Sequence, residues 1–194
     1  MGIGKQAKVL NQKQVDAVLH HIGKRRNGLR NQVIFLLSVR AGLRAKEIAA
    51  LRWSMVLDAS GAVGDAIHLT NQASKGNSGR VIPLNRQLLA VLVSLYLSQP
   101  RSGAGQVITT ERADQTSAQA IVNLFAGWYR DLGLVGCSSH SGRRTFITNA
   151  ARKISTVGGS LRDVQSLAGH SSLQTTQRYI EGDAAARRRV VDLV

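Results

Sequence analysis

Apolar residues recur at helical spacing from the start of the chain. Val15, Val18, Leu19 and Ile22 share one face of a stretch that opens at Asn11 and carries Gln14 three positions on. This predicts a capped helix ending near Gly23, with Leu10 and Val15 as a hydrophobic staple. A basic link, KRRNGLR, leads to a more apolar helix through Val33, Ile34, Leu36 and Leu37, which Gly42 is suited to close. A short third helix is predicted over Arg44–Arg52. From Met55 to Leu84 the period shortens: MVL, AIHLT and RVIPL are β-prone pieces separated by SGAVG and SKGNSG, the pattern of a small antiparallel sheet. Helical spacing returns over Arg86–Ser98, Ser117–Arg130, Ser141–Arg152, Leu161–Ala168 and Leu173–Glu181, before a basic segment around Arg187–Arg189. No repeat or low-complexity linker divides the chain. The expectation is one domain over 1–194, mostly α with a small antiparallel β-sheet (α+β).

Two arginines fall on the wrong side of this pattern. At about 100° per residue, Arg44 shares its face with Glu47, Ile48 and Leu51, while Lys46 and Arg52 point away. In HSGRRTFITNAA, Arg143 aligns with Phe146, Ile147 and Ala150, His140 lies one turn before it, and Arg144 projects sideways. A guanidinium on a core-facing stripe cannot shed its charge and must meet an anion. Glu47 is one internal candidate, as half of a buried salt bridge. Two arginines against one carboxylate leave room for a phosphate as well. Tyr179 is the third unusual position, roughly 100° from the stripe of Leu173, Thr176 and Ile180. An edge tyrosine there either rests its hydroxyl in water or presents it to a ligand. Tyr96 and Tyr129 read as packing residues.

Composition narrows the partners. Among 194 residues, Lys and Arg outnumber Asp and Glu 26 to 11, for a net charge of +15, and 43% of residues are hydrophobic, enough for a core. A polyanion is therefore the expected partner. The longest apolar run, Leu88–Leu97, is about half a membrane span, so no membrane partner is expected. The N-terminus, with Lys5, Lys8, Lys13 and Asp16, does not read as a secretory signal. One cysteine, Cys137, cannot form an internal disulfide, which fits a reducing cytoplasm. The five histidines show no zinc spacing, KGNSGR is not a nucleotide-binding P-loop, and no serine sits in a GxSxG elbow. His20, His21 and His68 are read as structural.

The pieces AGLRAKEIAAL, SKGNSGR, HSGRRTF, LAGHSS and QRYI occur in the order and spacing of the tyrosine recombinase (phage integrase) catalytic domain, and from about Lys8 to Tyr179 the chain resembles that family. The resemblance implies catalytic roles for Arg44, Lys75, His140, Arg143, His170 and Tyr179. Arg44 would be the first catalytic arginine, Lys75 the β-hairpin lysine, His140 and Arg143 the H-x-x-R pair, and His170 the second histidine. Tyr179 would be the nucleophile, and Glu47 the acidic residue that supports Arg44. It implies attack of the tyrosine on a DNA phosphodiester, giving a 3′-phosphotyrosyl link and a free 5′-hydroxyl, with the bond energy retained for religation. Two arginines stabilise the phosphoryl charge, so no metal or other cofactor is implied. Lys24, Arg25, Arg26, Arg144 and the Arg187–Arg189 segment are candidate DNA phosphate contacts. Double-stranded DNA is the implied partner, with a homotetramer on paired sites, accessory DNA-bending proteins and a cytoplasmic, nucleoid-associated location.

Several features depart from the usual pattern. Only about ten residues precede the first catalytic-domain helix, so the N-terminal core-binding domain is expected to be absent, as in short members similar to the fimbrial phase-switch invertases. Gly142 stands where an apolar residue is usual and is expected to loosen its helix by roughly 1 kcal/mol. Arg144 stands where histidine is common, and the hairpin before Lys75 is long. Residues 183–194 read as a tail for protomer contacts. A non-catalytic DNA-binding module of the same fold, or relaxation like that of a type IB topoisomerase, would use much of the same sequence.

Overall fold

Asn11 opens α1 (Gln12–Gly23) with a capping box. Its side chain accepts the Gln14 N–H at 2.9 Å, and the Gln14 side chain accepts the Asn11 N–H at 3.0 Å, so two donors left over at the helix start are satisfied. Val15, Val18 and Ile22 are buried along its inner face, with Leu10 buried just ahead of it. The structure is a computed structural model and describes residues 6–74, 78–98, 105–110, 113–179, 188 and 191–192. Lys75, Arg187, Arg189 and most of the 183–194 tail lie outside the described residues.

α2 (Gly28–Val39) is buried throughout from Val33 to Val39, which explains its near-continuous apolar run. It packs on α1, α3 (Ala45–Ala50), α4 (Arg86–Ser98) and α6 (Ser141–Lys153), and so forms the axis of the main core. Its Phe35 ring meets Phe125 and Trp128 of α5 (Ala118–Asp131) at centroid distances of 6.2 and 6.5 Å. Tyr129 is buried beside Phe125, and Tyr96 packs on Trp53 at 4.8 Å, so both tyrosines are packing residues as read.

Two glycines fix how α6 meets this core. The Leu43 N–H bonds the Leu37 carbonyl at 3.0 Å and the Gly42 N–H bonds that of Ser38 at 3.1 Å, so the chain turns off the end of α2 with Gly42 in the left-handed region at φ +68°. At Gly142 a Cβ would fall 2.5 Å from the Ser38 Oγ. The glycine expected to loosen α6 therefore allows its close approach to α2, and the lost helix propensity is traded for packing.

β1 (Ala66–Leu69) and β2 (Arg80–Pro83) form an antiparallel pair with Ala66 opposite Pro83 and Leu69 opposite Arg80. Ile67, Leu69 and Ile82 are buried, whereas His68 and Val81 are exposed. The MVL piece departs from expectation. Trp53–Met55 forms a 3-10 turn, and Leu57 makes only an isolated bridge with Val63. The Asp58 carboxylate accepts the N–H groups of Ser60 and Ala62, closing a tight turn that leaves no length for a ladder.

α7 (Leu161–Ala168) and α8 (Leu173–Gln177) complete the fold. α8 is shorter than the predicted Leu173–Glu181: the Tyr179 N–H bonds the Thr176 carbonyl at 3.1 Å, so the last turn tightens and Tyr179 leaves the helix. Ile180 and Glu181 lie outside the described residues. Ile147, Val164 and Ala168 form a second, smaller core on which Phe146 and Tyr179 pack. Among the described residues no helix is long and apolar enough to cross a membrane.

Candidate active site

The third helix is shorter than its sequence pattern, and the reason lies in the site. Glu47 is 0% exposed, and its carboxylate accepts the Arg44 backbone N–H at 2.8 Å, which makes Arg44 the N-cap of α3 rather than its first turn. The Arg44 guanidinium also pairs with Glu47 at 2.9 Å and stays partly open to solvent. The predicted partnership of Arg44 and Glu47 is present, formed across a cap instead of along a helix face.

A third guanidinium, missed in the sequence, completes the Glu47 shell. Arg80 reaches both carboxylate oxygens at 3.1 Å, donates from Nε to the Leu167 carbonyl at 2.9 Å, and has a side chain only 4% exposed. It begins β2 two residues before buried Ile82, so the period of two that turns Ile82 inward turns Arg80 inward too. At strand spacing Arg80 breaks an inward apolar face just as Arg143 does at helical spacing. Burial pushes the Glu47 carboxyl up, but the hydrogen bond and charge of Arg80, then those of Arg44, outweigh it and hold Glu47 below the usual carboxylate range.

Arg143 is 4% exposed, as the stripe predicts, yet its hydrogen bonds go to carbonyls: Nη1 to Gly42 at 2.5 Å and Nη2 to Ala168 at 2.7 Å. Burial, and after it the positive charge of Arg44, pull its pKa down to about 10, so it remains charged at neutral pH. Arg44 and Arg80 thus share one carboxylate whose charge also acts on Arg143, and of the three guanidiniums Arg44 and Arg143 line a cavity.

That cavity, of about 480 Å³, is lined by Arg44, His140, Arg143, Arg144, His170, Arg178 and Tyr179, with Gln6, Ala7, Ser138 and Thr175. His140 is exposed at the N-cap of α6. His170 follows the Gly169 end of α7, and burial, then the charges of Arg143, Arg44 and Arg80, pull its imidazole down to about 4, so it is neutral at pH 7. Its ring stacks on Tyr179 at 5.5 Å with planes 23° apart. Arg144 lies over the Tyr179 ring at 5.7 Å and also bonds the Gln6 side chain.

The remaining candidates are elsewhere. Lys24, Arg25 and Arg26 follow α1, whose twelve residues span about 18 Å from the end where the Leu10 N–H bonds Thr145 of α6. Arg25 is paired with Asp131 at 2.9 Å. His20, His21 and His68 do not line the cavity. Among the described residues no cluster of His, Cys, Asp and Glu could hold a metal ion.

A tyrosine surrounded by guanidinium groups and a neutral imidazole has the charge and the hydrogen-bond donors that an oxyanion requires. The pattern of the phage integrase family matches residues 8–185, and the chain belongs to that family. It is 30% identical to the tyrosine recombinase XerC of Myxococcus xanthus over 168 residues, covering 79% of this chain and 51% of that protein. With XerC of Shewanella sp. (strain ANA-3) the identity is 30% over 196 residues, covering 97% and 62%. The fold matches the crystal structure of XerA recombinase with a TM-score of 0.73 at 20% identity, over 95% of this chain and 64% of that one. It matches XerH bound to a palindromic difH substrate, a post-cleavage complex, with a TM-score of 0.73 at 19% identity, over 98% and 54%. The chain therefore spans between about half and three-fifths of the length of these XerC relatives.

Proposed function

We propose that these 194 residues are the catalytic domain of a site-specific DNA recombinase that cuts and rejoins double-stranded DNA through a 3′-phosphotyrosyl intermediate. The observation that carries this reading is that Tyr179 shares one cavity with Arg44, His140, Arg143 and His170 in a member of the phage integrase family. The Tyr179 oxygen attacks the scissile phosphorus, the bond to the 5′ oxygen breaks, and the phosphoryl group stays on the tyrosine. Arg44 and Arg143 neutralise the non-bridging oxygens, using the positive charge that Glu47 leaves unbalanced. His140 takes the tyrosine proton, His170 holds a phosphate oxygen, and Lys75 protonates the leaving 5′ oxygen. A 5′-hydroxyl from another strand reverses the step without ATP.

The test is covalent trapping. Nicked duplexes tiled across the DNA flanking the gene, incubated with protein and no metal, should give a denaturant-resistant protein–DNA band. DNA binding without that band would favour a non-catalytic DNA-binding module. Relaxation of any supercoiled plasmid by monomer would favour topoisomerase-like action.

Lys24, Arg26, Arg144 and the Arg187–Arg189 segment supply phosphate contacts in this reading, with Arg25 shared with Asp131. Affinity should fall roughly a thousandfold or more between about 50 and 200 mM salt if six or more phosphates are neutralised, read by fluorescence anisotropy; a flat salt response contradicts it. The protein acts in the cytoplasm, at the nucleoid, assembles as a homotetramer on paired sites, and works with accessory DNA-bending proteins. Light scattering should show a monomer without DNA, and a tetramer in its absence would contradict this assembly.

A further inference from the structure

We propose that Thr176 is a positioning residue that fixes the tautomer of His170, holding Nδ1 as an acceptor and leaving the proton on Nε2. Thr176 Oγ1 lies 2.9 Å from His170 Nδ1, and Thr176 is 0% exposed. Among the described residues no carbonyl accepts the Thr176 hydroxyl, in contrast to Thr145, whose Oγ1 donates to the Ser141 carbonyl at 2.8 Å. A buried hydroxyl proton with no acceptor is unfavourable, and Nδ1 is the acceptor at hand. If Nδ1 carried the proton instead, the Thr176 hydroxyl would accept it and leave its own proton unbonded. Thr176 therefore donates, and Nε2 keeps its hydrogen.

The surroundings hold this arrangement. The His170 N–H bonds the Gln165 carbonyl at 3.1 Å and the Gln165 side chain donates back to the His170 carbonyl at 3.0 Å, so the backbone that carries the ring is pinned. Stacking on Tyr179 fixes the ring plane. Burial, and after it the cationic Arg143, Arg44 and Arg80, keep the ring neutral, and only a neutral imidazole has a tautomer to choose. The consequence, which rests on the proposed function, is that His170 donates from Nε2 to a phosphate oxygen and does not take the Tyr179 proton.

The experiment is a long-range proton–nitrogen NMR correlation on the full 194-residue chain labelled with ¹⁵N-histidine, at pH 7.5 without DNA, with His170 assigned from His170→Asn. In the wild type, Nδ1 should show the shift of a bare nitrogen and Nε2 that of a protonated one. Thr176→Ser should keep this pattern. Thr176→Val should move both nitrogens towards a tautomer mixture, while the other histidines keep their shifts and report an intact fold. A wild type with Nδ1 protonated, or a Thr176→Val spectrum unchanged at His170, overturns the assignment. If Thr176→Val disturbs the other histidines, the wild-type and Thr176→Ser spectra decide. Covalent trapping runs as a second arm, with product formation about tenfold lower for Thr176→Val and restored for Thr176→Ser. Absence of covalent product from the wild type overturns the recombinase reading and leaves the tautomer measurement standing.

Discussion

Tyr179→Phe is expected to lose covalent DNA attachment by a factor on the order of 10⁴ or more while retaining salt-sensitive DNA binding. The two effects separate because the ring and the oxygen do different work. The ring packs on the small core of Ile147, Val164 and Ala168, stacks on His170 at 5.5 Å and lies 5.7 Å from the Arg144 guanidinium. Phenylalanine preserves each of these contacts. Only the hydroxyl is removed, and no other side chain lining the cavity carries a phenol. The check is the trapping gel with both proteins at equal DNA occupancy. Equal covalent product from the variant would remove Tyr179 from the reaction, and loss of DNA binding would mean that the hydroxyl is needed for the fold.

The largest effect on stability is expected from Glu47→Gln, about 3–5 kcal/mol, because one carboxylate holds the Arg44 and Arg80 guanidiniums and lies beside Arg143. The amide keeps the volume and removes the one negative charge that this cluster has among the described residues, so buried cations are left facing one another. Urea denaturation should show the midpoint falling by about 2 M at unchanged slope. The pH dependence has a definite sign. The Glu47 carboxyl is held below its ordinary value of 4.5, so its contribution is fully present above pH 4.5 and is lost as pH falls through the lower folded value. The difference between wild type and variant should therefore be constant from neutral pH down to about 4.5 and narrow below it. A variant as stable as the wild type at pH 7 would show that solvent, and not Glu47, compensates the arginines.

The site was legible where one residue breaks a local period. Arg143 interrupts an apolar helical stripe, and its burial follows from position alone. Arg44 was found by the same argument, although the structure holds it at a cap, because Glu47 three residues on is near it in either geometry. Arg80 escaped because four strand residues give a short period, and the partner that identifies it is 33 positions away. Thr176 escaped for a related reason. A threonine on the inward stripe reads as packing until the chain beyond Gly169 turns His170 onto it.

Neighbours within a few residues, or composition, dictate the helices apart from the bounds of α3 and α8, the capping box at Asn11, the turn at Gly42, the basic character and the family pattern. Long-range packing brings the guanidiniums of Arg44 and Arg80 onto the Glu47 carboxylate and hands Arg143 to the carbonyls of Gly42 and Ala168. It also decided that His170 is neutral and stacked on Tyr179, and that Gly142 is a contact point rather than a weakness. These depend on desolvation and on approaches between segments far apart in the chain, and neither quantity is encoded in any local window of residues.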